Sequence, residues 1–216
     1  MSLDTILSVV YLAVGLLIGL VAHEYAHAYV ATRLGDLTPK LSGRLTLNPK
    51  PHVEPFGSII LPAILLLVVL FGGPPFVFAY AKPQPLNLWA MRRPDQHVTL
   101  ISLAGPAANV ALAFLFGVLF RIVGEGGELG NFLSACVVVN VILAAMNVMP
   151  IPPLDASRVV ARYLPARAQE VMTNLEQYGA LFMLLIFFIV SGPIFAFVRV
   201  IGNGICVLVA GGSCIL

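Results

Sequence analysis

Two histidines four residues apart, with a glutamate directly after the first, are the residues of this chain best suited to chemistry: His23-Glu24-Tyr25-Ala26-His27. On a helix, a spacing of four stacks His23 and His27 on one face, where both imidazoles can reach one metal ion. Glu24 projects beside them, close enough to take a proton from a water on that metal. The pattern points to zinc-dependent hydrolysis. It is incomplete, because catalytic zinc usually takes three protein ligands.

Four residues are candidates for the third ligand: Asp155, His52, His97 and Glu54. Asp155 ends the run Asn147-Val148-Met149-Pro150-Ile151-Pro152-Pro153-Leu154-Asp155, whose three prolines must stop the preceding helix and leave extended, unpaired backbone. At membrane depth such backbone is tolerated only where protein or a wet cavity surrounds it, so a carboxylate there is placed to face a metal. The plainer alternative is an N-cap for a helix beginning near Ser157. His52, in the proline-rich loop from Asn48 to Pro55, would line an active-site entrance, bind a second metal or simply be solvated. His97, beside Asp95 at a helix start, reads as a surface or capping group. Asn109, inside an apolar helix, would hydrogen-bond a neighbouring helix or reach the site.

The elements that must position these groups belong to a membrane protein. Of 216 residues 59% are apolar and 10% charged, and the mean hydropathy is +0.97; a soluble core does not need this much apolar surface. No repeat, linker or charged tail marks a second unit, which predicts a single membrane-embedded domain over 1–216, with its core at about 5–165 and a C-terminal helical pair at about 178–210. Cys136, Cys206 and Cys214 show no paired spacing and suggest neither a disulfide framework nor a thiolate zinc site.

The run from Thr5 to Ala22, continued through the histidines to about Ala31, is long enough to cross a bilayer, and it lacks the basic flank and cleavage site of a removed signal. An ionisable residue near the membrane interior costs about 2.5–3.5 kcal/mol on insertion scales, so a glutamate and two histidines together there point to function. Val98 to Ile122 and Phe132 to Met149 are long enough to span, and Tyr178 to Val190 and Ile194 to Val209 form a shorter pair. Ser58 to Phe71 contains Pro62 and is closed by Gly72-Gly73-Pro74-Pro75, which suits a short crossing or a re-entrant segment. Lys40 to Leu47 alternates in polarity like a half-buried strand, with a second strand expected from Phe76 to Tyr80. The expected fold is an all-α polytopic membrane protein with five or six transmembrane helices, a re-entrant segment and a small membrane-associated β-sheet.

Charge orients this arrangement. Arg33, Lys40, Arg44 and Lys50 follow the first helix, Lys82, Arg92 and Arg93 precede the Val98 helix, and Arg158, Arg162 and Arg167 follow the Phe132 helix. If Ser58 to Tyr80 enters and leaves on one face, all ten fall on one side, which the positive-inside rule makes cytoplasmic. His23 then lies about 27 Å along its helix, towards that side.

Taken together, these residues resemble the site-2 protease family of intramembrane zinc metalloproteases. His23-Glu24-Tyr25-Ala26-His27 matches the family's HExxH helix, Gly105-Pro106-Ala107-Ala108-Asn109 looks like its GPxxN segment, and Asn147 to Asp155 is similar to its NxxPxPxLDG motif. The resemblance covers about residues 10–165 and is to a compact subgroup without PDZ or CBS domains. It implies that His23, His27 and Asp155 bind one zinc ion per chain, that Glu24 is the catalytic base, and that Asn147 holds substrate or the tetrahedral intermediate. One departure is plain: the family's Leu-Asp-Gly is here Leu154-Asp155-Ala156, and alanine takes positive φ less readily than glycine.

The function expected is hydrolysis of peptide bonds in transmembrane segments of membrane-protein substrates, in a multi-pass protein of the cell membrane with its site towards the cytoplasm. Its partners would be the lipid bilayer and a substrate helix, with no nucleic acid, and Asn109 and His52 are further candidates for touching substrate. A substrate helix must unwind before its carbonyls are reached, and the Lys40 to Leu47 strand is a candidate to pair with the unwound segment. A prenyl-protein endoprotease would also use HExxH but would leave the distal aspartate motif unexplained. The competing class is a metal transporter or non-catalytic metal-binding membrane protein with the same ligands.

Overall fold

The structure, a computed structural model, describes residues 3–73, 76–82, 84–124, 127–178 and 191–210. Three of its helices are long and apolar enough to cross a membrane: α1 (Leu3–Arg33), α4 (Pro94–Val123) and α5 (Glu128–Asn147). Between α1 and α4 lie the four-residue α2 (Thr38–Leu41) and α3 (Leu61–Leu70), the latter preceded by a π-helical turn, Pro55–Ile60. After α5 come α6 (Asp155–Ala161), α7 (Ala166–Gln177) and α8 (Ser191–Ala210).

Local chemistry sets the ends of these helices. Asp4 in the first turn and Arg33 in the last both oppose the dipole of α1 favourably. Pro94 opens α4, where a missing N–H is harmless, and Gly124 ends it at φ +82°. Val10, Val14 and Leu17 on α1 and Phe114 and Leu115 on α4 are exposed. So many large apolar side chains pointing outward from helices of this length suit lipid rather than water. The protein is a helical membrane protein.

α5 is the central element, with Val137 and Val139 to Asn147 all buried. It packs against α1, α4 and α8, and Leu12, Leu16 and Leu20 of α1 join Val139, Ile142 and Leu143 of α5 in the main core. Close approach depends on Gly19, where a Cβ would come within 2.8 Å of Leu143 Cδ1 and 2.9 Å of Asn140 Oδ1. Small residues let membrane helices approach in this way, since lipid offers no hydrophobic drive of its own.

The segment around α3 returns to its starting point. After α3 the chain turns at Gly72, and the extended residues Phe76 to Ala79 run back as part of the main core. Tyr80 N donates to Gly57 O at 3.1 Å, Lys82 N to His52 O at 3.0 Å and Ser58 Oγ to Tyr80 O at 2.9 Å. The two ends of the loop are therefore held side by side, as a re-entrant segment requires.

No β-sheet is found among the described residues, which corrects the expected small sheet. Thr38–Leu41 is helical, with a proline in its first turn, and Gly43 at φ +71° breaks the extended path. The alternating leucines face outward instead of into a core, Leu41 being 83% and Leu47 66% exposed. Phe76 to Tyr80 is extended with its side chains packed, and Tyr80 is tied to Gly57 and Ser58 by isolated bonds rather than a ladder. The strand proposed for substrate pairing is thus absent. Of the expected C-terminal pair, α8 covers the second helix, while 179–190 lie outside the described residues. Cys136 is a buried free thiol, whereas Cys206 is disulfide-bonded, against the expectation of no disulfide.

Candidate metal centre

α1 and the start of α6 bring three donor atoms to one point. His23 Nε2 and His27 Nε2 are 3.0 Å apart, and Asp155 Oδ2 lies 2.9 Å from the first and 3.2 Å from the second. Both histidines are buried, and Asp155 is half-buried.

The imidazoles cannot turn away, because each Nδ1 is held from behind. His27 Nδ1 lies 2.6 Å from Ile101 O, and a carbonyl only accepts, so the proton is on Nδ1. Pro106 inside α4 removes the N–H that would bind the Ser102 carbonyl and loosens this turn. His23 Nδ1 lies 2.7 Å from Asn109 Oδ1. The Asn109 amide is oriented by the carbonyl of Gly19, which takes a bond from Nδ2 at 3.0 Å. Oδ1 is therefore an acceptor, His23 Nδ1 the donor, and Nε2 of both rings is left with a lone pair aimed at Asp155.

Two lone pairs and a carboxylate converging at about 3 Å repel unless a cation or protons lie between them. Donors held about 2.0–2.1 Å from a tetrahedral zinc are separated by about 3.3 Å, close to the three distances here. The nitrogen and oxygen donor set is also one that zinc accepts. The residues present fit the metal, and His23, His27 and Asp155 can hold it.

Gly105 forms the opposite wall. A Cβ there would come within 2.6 Å of His23 Nε2 and closer still to His27 Nε2. The backbone of α4 thus approaches the donor atoms at the one residue without a side chain. Sequence reasoning gave Gly105 no role, although its position one turn before Asn109 places both on the face towards α1.

Asp155 is not an N-cap. Leu154 occupies that position, and Asp155, the first residue of α6, turns its carboxylate to the histidines. Ala156 follows within the same helix, and no described residue other than glycine has positive φ, so an alanine in place of the family glycine is unstrained. The other ligand candidates lie elsewhere: Glu54 accepts from Gly57 N, and His97 N donates to Arg93 O at the start of α4.

Two further candidates are placed by their contacts. Both polar atoms of Asn109 are engaged inside the protein, Oδ1 with His23 and Nδ2 with Gly19 O and Asn140 Oδ1, which leaves nothing to offer a substrate. His52 is 1% exposed and its Nε2 is paired with Thr46 O at 3.0 Å, so it is neither solvated nor part of the metal cluster. Asn147 is buried, and one N–H of its amide binds Leu143 O at 2.9 Å. Glu24 is buried, with no hydrogen-bond or salt-bridge partner among the described residues.

Comparison with known proteins supports zinc as the metal. Several relatives carry the name "Putative zinc metalloprotease". YwhC of Bacillus subtilis is 38% identical over 186 residues, which is 82% of this chain and 80% of YwhC. Rip2 of Mycobacterium tuberculosis is 31% identical over 182 residues, 80% of this chain and 64% of Rip2. MJ0611 of Methanocaldococcus jannaschii is 30% identical over 142 residues, 66% of this chain and 64% of MJ0611. No family model matches the chain, and no solved structure matches it. With the identity to YwhC running over most of both proteins, the chain belongs to the zinc metalloprotease family of YwhC and Rip2.

Proposed function

We propose that this protein is an intramembrane zinc endopeptidase of the site-2 type, which cleaves transmembrane segments of membrane-protein substrates from a site open towards the cytoplasm. The observation that carries the reading is Glu24, a buried acidic residue one position from a ligand of a three-donor centre. A carboxylate in that place is suited to move a proton, which storage or transport of a metal does not require.

Zinc held by His23, His27 and Asp155 would supply Lewis acidity, bringing the pKa of water towards neutrality and polarising a carbonyl. Glu24 takes the proton from the water as its oxygen attacks the peptide carbon, and returns it to the leaving nitrogen as the C–N bond breaks. Asn147 has a second N–H, beyond the one on Leu143 O, with which to hold the substrate carbonyl. Ile101 O and Asn109 keep the imidazoles in place throughout.

Water would enter from the basic side. A cavity of about 380 Å³ is lined by Gln84, Val98, Ser157, Arg158 and Arg162, and Ser157 is two residues from Asp155. With 57 and 80 held together, all ten loop cations fall on one side, which supports placing that cavity in the cytoplasm. An alkaline phosphatase reporter inserted after Gly73 is expected to stay inactive. Activity there would place the tip of the loop outside and remove the re-entrant arrangement.

The whole reading is tested with the purified protein and a substrate helix in lipid. Cleavage is expected, its loss on chelation, and its return with added zinc. A chelated preparation that still cleaves would overturn it, and zinc flux into vesicles without any hydrolysis would establish transport instead.

A further inference from the structure

We infer that Asn140, in the middle of α5, is a positioning residue for the metal ligand His23 and sets metal affinity through Asn109. The inference rests on the zinc-centre reading above. Asn140 is fully buried at the helix core. Its Nδ2 donates to Cys136 O at 2.9 Å, and its Oδ1 accepts from Asn109 Nδ2 at 3.0 Å. A backbone carbonyl accepts only, so Cys136 fixes which end of the Asn140 amide faces Asn109.

Direction then passes along the chain of bonds. With Asn140 Oδ1 and Gly19 O both taking bonds from Asn109 Nδ2, Asn109 Oδ1 must face His23 and accept from its Nδ1. The proton is held on Nδ1 and the lone pair on Nε2, the form that binds a metal. Asn140 touches no donor atom of the centre, and α5 contributes none of the three. Its amide nevertheless ties the orientation of His23 to the backbone of the central helix.

An alternative role for Asn140 is merely to join α4 to α5. The two roles separate in a double-mutant cycle read as zinc affinity by chelator competition, with thermal unfolding recorded alongside. Asn109→Leu is expected to weaken zinc binding about 10- to 100-fold, and Asn140→Leu about 10-fold, the range for groups that orient a metal-bound histidine. In the Asn109→Leu background, Asn140→Leu is expected to change the zinc affinity no further, because its effect travels only through Asn109. Asn140→Asp, whose neutral acid at the same size accepts from Asn109 with one oxygen and donates to Cys136 O with the other, is expected to stay within about threefold of the unmodified protein.

Unchanged zinc affinity in Asn140→Leu, or a loss that multiplies with that of Asn109→Leu, overturns the inference. If Asn140→Leu does not fold, Asn140→Asp decides: affinity near that of the unmodified protein supports the relay, and a loss as large as that of Asn109→Leu sinks it. Failure of the unmodified protein to bind zinc strikes the centre itself rather than the relay.

Discussion

Gly105→Ala is expected to empty the metal centre while leaving the helices in place, lowering zinc affinity by more than about 100-fold. The added methyl would sit within 2.6 Å of His23 Nε2 and closer to His27 Nε2, in the space on which the donors converge. Such overlap is often relieved when the crowded atom ends a mobile side chain. Here the imidazoles are pinned by Asn109 and Ile101, both on α4, the helix that carries the methyl. Swinging them aside breaks two buried hydrogen bonds, each worth about 1 kcal/mol net. Retreat of α4 instead costs about 1–3 kcal/mol in disturbed packing against α1. Either adjustment separates the donors, so zinc is lost before the fold is. The measurement is zinc bound per chain after dialysis at a buffered free concentration, beside a thermal unfolding curve. Zinc retained within about threefold of the unmodified protein would show that Gly105 does not wall the site.

Much of this centre was legible in the sequence because its parts are close to local rules. His23 and His27 are one helical turn apart, and a turn is fixed by backbone geometry alone. Asp155 needs a second argument, from prolines that stop α5 and expose a carboxylate and from the likeness of Asn147 to Asp155 to the family motif, and in the structure it lies 2.9 Å from His23 Nε2. What could not be read were the contacts between helices. Asn140 in α5 and Asn109 in α4 each look like an ordinary polar residue in an apolar run, and only packing reveals that they meet each other and His23. Gly105 was hidden for the same reason, since its value lies in what approaches it. The failed strand at Lys40 to Leu47 is the converse case. A period of two marks a strand when one face is covered, but Leu41 and Leu47 are uncovered, and Pro39 and Gly43 had already decided the backbone. A proline-rich loop suggests a solvated His52, whereas the ring is buried and the His52 carbonyl takes a bond from Lys82 N.

Glu24→Gln is expected to abolish cleavage, by a factor of about 10²–10⁴ or more, with zinc content unchanged. Glutamine keeps the length and shape of the side chain but cannot take a proton from water at neutral pH. None of the three donors belongs to residue 24, and neither Nδ1 partner of the histidines involves it, so the metal has no reason to leave. The combined signature is less activity with equal zinc. Each component excludes something different: lost zinc would make Glu24 a ligand, and retained cleavage would require another base.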